Sequence, residues 1–223
     1  MSINSKQQIK CPYCGHLNDV TVWSSVTVED SMDLKDDILK RKLNIMVCSN
    51  CQKQALLPHS MLYHDKQKKL MISFSPCSNP AEKMRIFAEM KTSFSKSGEI
   101  NNFEDYNLRF VWNYDDLMEK ILIFDKGLHD KVTEVLKVLI LMQEPEKAND
   151  RIGVFGKIEN DEIEFLIRDK KEQQFYTSRI PMSSYETIKE QLRLSGVKYK
   201  SFNWEIVDID YGASLLRGVN NIL

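Results

Sequence analysis

Cys11-Pro12-Tyr13-Cys14-Gly15 and Cys48-Ser49-Asn50-Cys51 decide how this chain is read. Four of its five cysteines stand in these doublets, each with two residues between the sulfurs. That spacing lets both sulfurs of one tight turn reach a single ion. Zinc takes four ligands in a tetrahedron, and four thiolates at about 2.3 Å fill its shell. A filled shell leaves no position for water or substrate. The pattern therefore predicts one structural Zn2+ on Cys11, Cys14, Cys48 and Cys51, not a catalytic metal. A lone CxxC can also be a redox dithiol, but that motif opens a helix after a strand within a βαβ unit, which the flanking residues do not outline.

Residues 15–47 separate the doublets, 33 in all, against roughly 15–20 in the commonest zinc-ribbon spacing. The excess has room for a helix. Val20-Thr21-Val22-Trp23 and Ser25-Val26-Thr27-Val28 alternate as a strand does. Asp30-Ser31-Met32-Asp33 supplies a helix start, and Leu34, Ile38 and Leu39 follow at helical spacing, which predicts a helix over 32–41. Leu43-Asn44-Ile45-Met46-Val47 enters the second doublet as a strand. Ala55-Leu56-Leu57-Pro58 follows, and Leu70-Met71-Ile72-Ser73-Phe74 pairs across the charged turn Asp65–Lys69 as a hairpin.

Asn79-Pro80 marks the next helix start, cap then first turn, with Met84, Phe87 and Met90 as one stripe. The polar run 92–103 predicts a loop. Leu108–Trp112 reads as a strand, Asp115–Phe124 as a helix, and Leu128–Met142 as another. In the last, Leu128, Val132, Val135, Leu136 and Leu139 form the buried face. Pro145 ends it, and residues 144–150 are the candidate linker. Ile152–Ile158, Ile163–Ile167 and Gln174–Thr177 then read as three strands. Ser183-Ser184-Tyr185-Glu186 has the spacing of a capping box, opening a helix with Tyr185, Ile188 and Leu192 that stops at Gly196. Trp204–Ile209 reads as a final strand. The expected fold is α+β: a zinc-ribbon-like antiparallel sheet with an inserted helix, a helical middle segment and a small C-terminal α+β unit. The expected domains are 1–143 and 151–223.

The 223 residues carry a formal charge of −1, with 31 basic and 32 acidic residues. From Arg151 onward there are 11 of each, so neither half is built as a basic face for a phosphate backbone. The opening MSINSKQQIK has no apolar signal core. Val138–Met142 is the longest apolar run, far below the roughly 18 residues of a membrane span. The expected compartment is the cytoplasm, where paired cysteines are metal ligands more often than disulfides.

Residues 9–142 resemble the CpXC family of bacterial proteins, named for its cysteine-proline-x-cysteine motifs. The resemblance is carried by Cys11–Gly15, the leucine-rich segment before Cys48, Leu62-Tyr63-His64-Asp65, Arg109-Phe110-Val111, Leu117-Met118-Glu119-Lys120-Ile121 and Gly127-Leu128-His129-Asp130. It implies zinc on the four cysteines, and an architecture but no assigned activity. The second knuckle departs from the pattern: Ser49 replaces the proline and Gln52 stands where the first has Gly15. Proline presets φ and glycine permits positive φ, so both losses weaken the turn signature without removing a ligand. The region after Arg151 lies outside the resemblance.

Other candidates read more plainly. His59, His64 and Asp65 could form a second metal site, but four thiolates already suffice. His16 follows the first knuckle. His129 and Asp130 begin a helix, where adjacent side chains face different directions. Cys77 is a single thiol with no base in view. HExxH, GxSxG and GxxxxGK[ST] are absent. Gly153 and Gly156 suggest a strand kink, and Lys66, Lys68 and Lys69 a charged turn. The expected function is a non-enzymatic zinc-binding module that recognises another protein, away from membranes. One alternative is a nucleic-acid-binding zinc ribbon. A second is an enzyme with a site at the junction of the two segments, lined by His129, Asp130 or Cys77.

Overall fold

The alternation from Val20 to Val28 becomes β2 (Leu17–Thr27), whose partner is β1 (Ile3–Lys10). They pair antiparallel from Ile3↔Ser25 to Lys10↔Leu17, so the first doublet sits in the connecting turn. The computed structural model describes residues 1–96 and 103–220. Its internal contacts divide the chain into two units, Met1–Met118 with Ser201–Glu205, and Glu119–Lys200 with Ile206–Leu223.

In the first unit, α1 (Met32–Leu39) buries Leu34 and Ile38. β3 (Ile45–Val47) and β4 (Gln54–Leu56) form a separate hairpin with the second doublet in its turn. No strand ladder joins this hairpin to β2. Asn44, 3% exposed and at φ +54, brackets it there. Its Oδ1 accepts from the Trp23 N–H at 2.8 Å and its Nδ2 donates to the Trp23 carbonyl at 2.8 Å. A side-chain amide can imitate a peptide group in this way, which satisfies backbone atoms a ladder would otherwise claim.

β5 (Met61–Asp65) and β6 (Leu70–Phe74) form the expected hairpin. β7 (Asn107–Val111) lies parallel to β6, and β11 (Ser201–Glu205) parallel to β7. The sheet order is β1-β2-β5-β6-β7-β11. The fold is α+β, and antiparallel pairing holds within the hairpins, but the sheet as a whole is mixed because β2–β5, β6–β7 and β7–β11 are parallel. β11 is the strand expected to close the C-terminal unit; it joins this sheet instead. Fully buried Arg109 on β7 holds it, with its guanidinium 3.0 Å from Glu205 and 3.3 Å from Asn107 Oδ1.

α2 (Pro80–Lys96) starts where Asn79 accepts the Glu82 N–H at 2.9 Å. It continues past the expected break at Thr92. Thr92 and Ser95 donate their hydroxyls to the Ala88 and Lys91 carbonyls, each at 2.9 Å, the back-bond that lets such residues stay helical. Phe94 meanwhile packs on Phe103 and Trp204. The rest of the expected loop, 97–102, lies outside the described residues.

α3 (Tyr114–Asp125) crosses the division between the units. In the second unit, β8 (Arg151–Glu159), β9 (Glu162–Asp169) and β10 (Phe175–Pro181) make an antiparallel sheet. Gly156 sits at a register shift in β8, the kink the glycines suggested. α4 (Asp130–Leu141) is the centre: ten of its twelve residues are buried. Leu139, expected on the buried face, is 41% exposed. The rest of that face is buried, and the charged face is buried as well, by ion pairs. Lys120 lies 2.8 Å from Glu134, and Lys137 lies 3.1 Å from Glu134 and 2.7 Å from Glu119.

Residues 144–150 are not an open linker. Pro145–Asp150 forms a 3-10 turn, and Arg151 clamps Glu144 at 3.0 Å. The division expected there falls inside the second unit, because α4 packs on β8, on α5 (Met182–Leu194) and on α6 (Ile209–Asn220). The expected capping box is absent: α5 begins at Met182 with Pro181 at the cap, so Ser183 is already helical. The helix does stop at Gly196. α6 takes over the end of the expected last strand. Gly212 makes its approach possible, since a Cβ there would meet the Glu134 backbone at 2.7 Å. Among the described residues, no helix is long and apolar enough to cross a membrane.

Candidate metal centre

The two doublets close into the same turn. In the first, Cys11 N–H donates to the His16 carbonyl at 2.8 Å and Gly15 N–H to the Cys11 carbonyl at 2.9 Å; in the second, Cys48 N–H donates to Lys53 at 3.0 Å and Gln52 N–H to Cys48 at 2.9 Å. Gly15 takes φ +72, and Gln52 takes φ +59 at the matching position without glycine's freedom. Ser49 differs from Pro12 for a visible reason: its N–H donates to Asn18 Oδ1 at 2.9 Å, and its Oγ reaches the same atom at 3.1 Å. Proline has no N–H to offer.

These turns bring Cys11, Cys14, Cys48 and Cys51 together, with their four sulfurs within 4.8 Å of one another. The Cys11–Cys51 pair is 3.7 Å apart and the Cys14–Cys48 pair 3.6 Å. A tetrahedral shell with metal–sulfur bonds of about 2.3 Å has an edge of about 3.8 Å. All four cysteines are free of disulfides. The cluster could therefore hold a metal ion. Among the described residues, no other group of three or more His, Cys, Asp or Glu side chains could. Cys11 and Cys48 are buried on a floor of Val22, Met46 and Leu57, whereas Cys14 is exposed.

Amide donors surround the sulfurs. Tyr13 N–H points at Cys11 Sγ (3.5 Å), Asn50 Nδ2 at Cys14 Sγ (3.7 Å) and Asn18 Nδ2 at Cys48 Sγ (3.7 Å). The Cys48 thiol is drawn down to about 6, first by the Cys51 N–H, then against burial by the Asn50 N–H and two neighbouring thiols. The Cys14 thiol is lowered, first by the His16 N–H and then by Asn50. Cys51 goes the other way, to about 11. The Lys53 N–H favours its thiolate, but burial and hydrogen bonds with the other three thiols outweigh it. Cys14, Cys48 and Cys51 share their protons as a set, and a cation bound among the sulfurs displaces those that remain.

The other candidates are placed elsewhere. His16 is exposed, and its carbonyl closes the first knuckle. His59 is half-buried after β4. His64 meets the Tyr106 hydroxyl at 3.1 Å and stacks edge-on with Phe103, while Asp65 caps its turn by accepting the Lys68 N–H at 2.9 Å. Cys77 is partly buried in the first unit, and burial pushes its thiol up. In the second unit, His129 caps α4: Nδ1 accepts from the Lys131 N–H at 3.2 Å, and Nε2 lies 2.9 Å from the Tyr199 carbonyl. Asp130 is fully buried, 3.5 Å from Lys120.

Sequence reasoning missed Asn18, which touches both knuckles. The one available signal was the second knuckle's lack of proline, which leaves a backbone N–H in need of an acceptor. It also missed the buried charges of α4, whose spacing reads as a solvated face.

The CpXC protein family matches residues 9–137, both knuckles included. No curated protein and no solved structure matches the chain. With the match spanning more than half of its length, the chain belongs to the CpXC family.

Proposed function

We infer that the chain is a non-enzymatic zinc-binding protein whose four-cysteine centre is structural, and that it acts by presenting a surface to another protein. The carrying observation is the sulfur geometry, with separations of 3.7 and 3.6 Å against about 3.8 Å for the edge of a tetrahedral thiolate shell. An all-sulfur donor set favours soft or borderline metals over magnesium and calcium, and tetrahedral thiolate suits Zn2+. A shell filled by four thiolates leaves no place for a reacting water. Its role is mechanical: it ties together two hairpins, β1–β2 and β3–β4, that share no ladder.

The protein-partner reading is supported by large apolar side chains left exposed on and beside the knuckles. Tyr13, Leu17 and Val47 are each more than half exposed. A formal charge of −1 favours such a contact over a phosphate backbone. A nucleic-acid reading draws on Lys53, held 5.0 Å over the exposed Tyr13 ring, and predicts affinity that falls steeply with salt.

Substitution with Co2+ tests the centre. The expected result is strong thiolate charge-transfer absorption with tetrahedral d–d bands, bleached by one equivalent of Zn2+. A weak octahedral spectrum contradicts the reading.

A further inference from the structure

Asn18 sits at the start of β2, 7% exposed, and bonds to both knuckles. Its Nδ2 donates to the His16 carbonyl at 2.9 Å, the carbonyl that also accepts the Cys11 N–H. The same nitrogen lies 3.7 Å from Cys48 Sγ. Its Oδ1 accepts from Ser49 N–H at 2.9 Å and from Ser49 Oγ at 3.1 Å. One amide thus holds the backbone of each turn and one of the sulfurs.

The two turns are unequal without it. The first has Pro12 to preset φ and Gly15 at φ +72; the second has Ser49 and Gln52, the latter at φ +59. Yet both make the same pair of backbone hydrogen bonds. Something outside the second turn must supply what its own residues do not.

We propose that Asn18 is a positioning residue for the four-thiolate centre: it replaces the turn chemistry that the second knuckle lacks, and it governs how fast the ion leaves. This rests on the metal-centre reading above. Losing it removes the acceptor of the Ser49 N–H, one of the two donors to the His16 carbonyl and one donor to Cys48 Sγ together. The second knuckle can then drift from the first, exposing one sulfur pair to a competing chelator. Losses of outer-shell partners typically weaken metal binding about 10–100-fold.

The test is zinc transfer from the full chain to a chromogenic chelator, for wild type, Asn18→Ala, Asn18→Asp, Ser49→Pro and the double variant Asn18→Ala/Ser49→Pro. Asn18→Asp keeps the oxygen that accepts from Ser49 and loses the donors, so it guards against a result that reflects misfolding; far-UV circular dichroism checks this. Both Asn18 variants are expected to release zinc about 10–100-fold faster, with an altered Co2+ charge-transfer band. Ser49→Pro alone is expected to release faster as well, because it deletes the N–H that Asn18 accepts. In the Asn18→Ala background the same proline is expected to slow release, since it then supplies the turn itself; Cys11-Pro12 shows that the turn accommodates it. This change of sign is not expected of a residue that only adds stability. Asn18 variants that release zinc at the wild-type rate, or effects of the two substitutions that simply add, overturn the inference while the metal centre stands. A wild-type chain that carries no ion overturns both.

Discussion

Replacing Lys137 with methionine removes a cation from the buried face of α4 and keeps the side chain's length. Lys137 is 3% exposed, 2.7 Å from Glu119 and 3.1 Å from Glu134. After the change, Glu134 retains Lys120 at 2.8 Å, and Glu119 retains the Phe155 N–H at 2.5 Å. Lys120 still faces Glu134, Glu119 and Asp130, now without the second lysine's charge. Removing one partner of a buried ion pair costs about 3–5 kcal/mol, because the other charge stays behind. Hydrogen exchange of the α4 amides reads this directly, and the opening constant should rise about a hundredfold to a few thousandfold. The pH dependence gives a second signature. In the wild type, burial pushes the Glu134 carboxyl up, and Lys120 and Lys137 together more than reverse this, leaving it lowered. A lowered carboxyl contributes stability above its unfolded pKa and loses it as pH falls through the folded value. Without Lys137, burial gains ground and the Glu134 carboxyl shifts upward. The variant's deficit should therefore be largest at neutral pH and narrow as pH falls through the carboxylate range. Adding Glu119→Gln, which keeps an acceptor for Phe155, should recover part of the loss. A pH-independent deficit below about 1 kcal/mol would refute the reasoning.

Two further outcomes follow from strained or bracketing residues. Gln52→Gly should raise the melting temperature of the zinc-loaded protein, since a side chain in the left-handed region costs about 1–2 kcal/mol and glycine's extra unfolded-state entropy offsets part of the gain; a lower melting temperature means that its Nε2 bond to the Ser49 carbonyl, 3.1 Å, matters more than φ. Asn44→Gly keeps φ +54 available but strands both polar groups of Trp23, and should destabilise the first unit by about 1–3 kcal/mol in urea unfolding followed by tryptophan fluorescence. A midpoint like the wild type's means water replaces the bracket freely.

The parts of the fold legible in the sequence are those encoded by short-range pattern. The two knuckles follow from covalent spacing, and β2, the β5–β6 hairpin and β8–β9 from alternation. The start of α2 follows from Asn79-Pro80. What escaped depends on partners distant in sequence. β1 is a polar edge strand, INSKQQIK, made a strand only by its pairing with β2. β11 joins β7 through Arg109 and Glu205, 96 residues apart. The charged face of α4 reads as solvated until α3 supplies Glu119 and Lys120 as counter-charges. At the site, all four sulfurs were legible because the ligand types and their spacing are local. Asn18 was not, since its role exists only once the two knuckles face each other. The departures at Ser49 and Gln52 were visible as weaknesses of the second turn. The structure turns one into a used hydrogen-bond donor and the other into a strained φ.

The most direct test of the central claim is the metal content of chain purified without added metal, with reactive thiols counted before and after chelation. The account predicts one zinc per chain and four thiols released together, with Cys77 reacting independently. Metal-free protein whose doublets oxidise reversibly to disulfides would contradict it and make thiol redox chemistry the function to pursue.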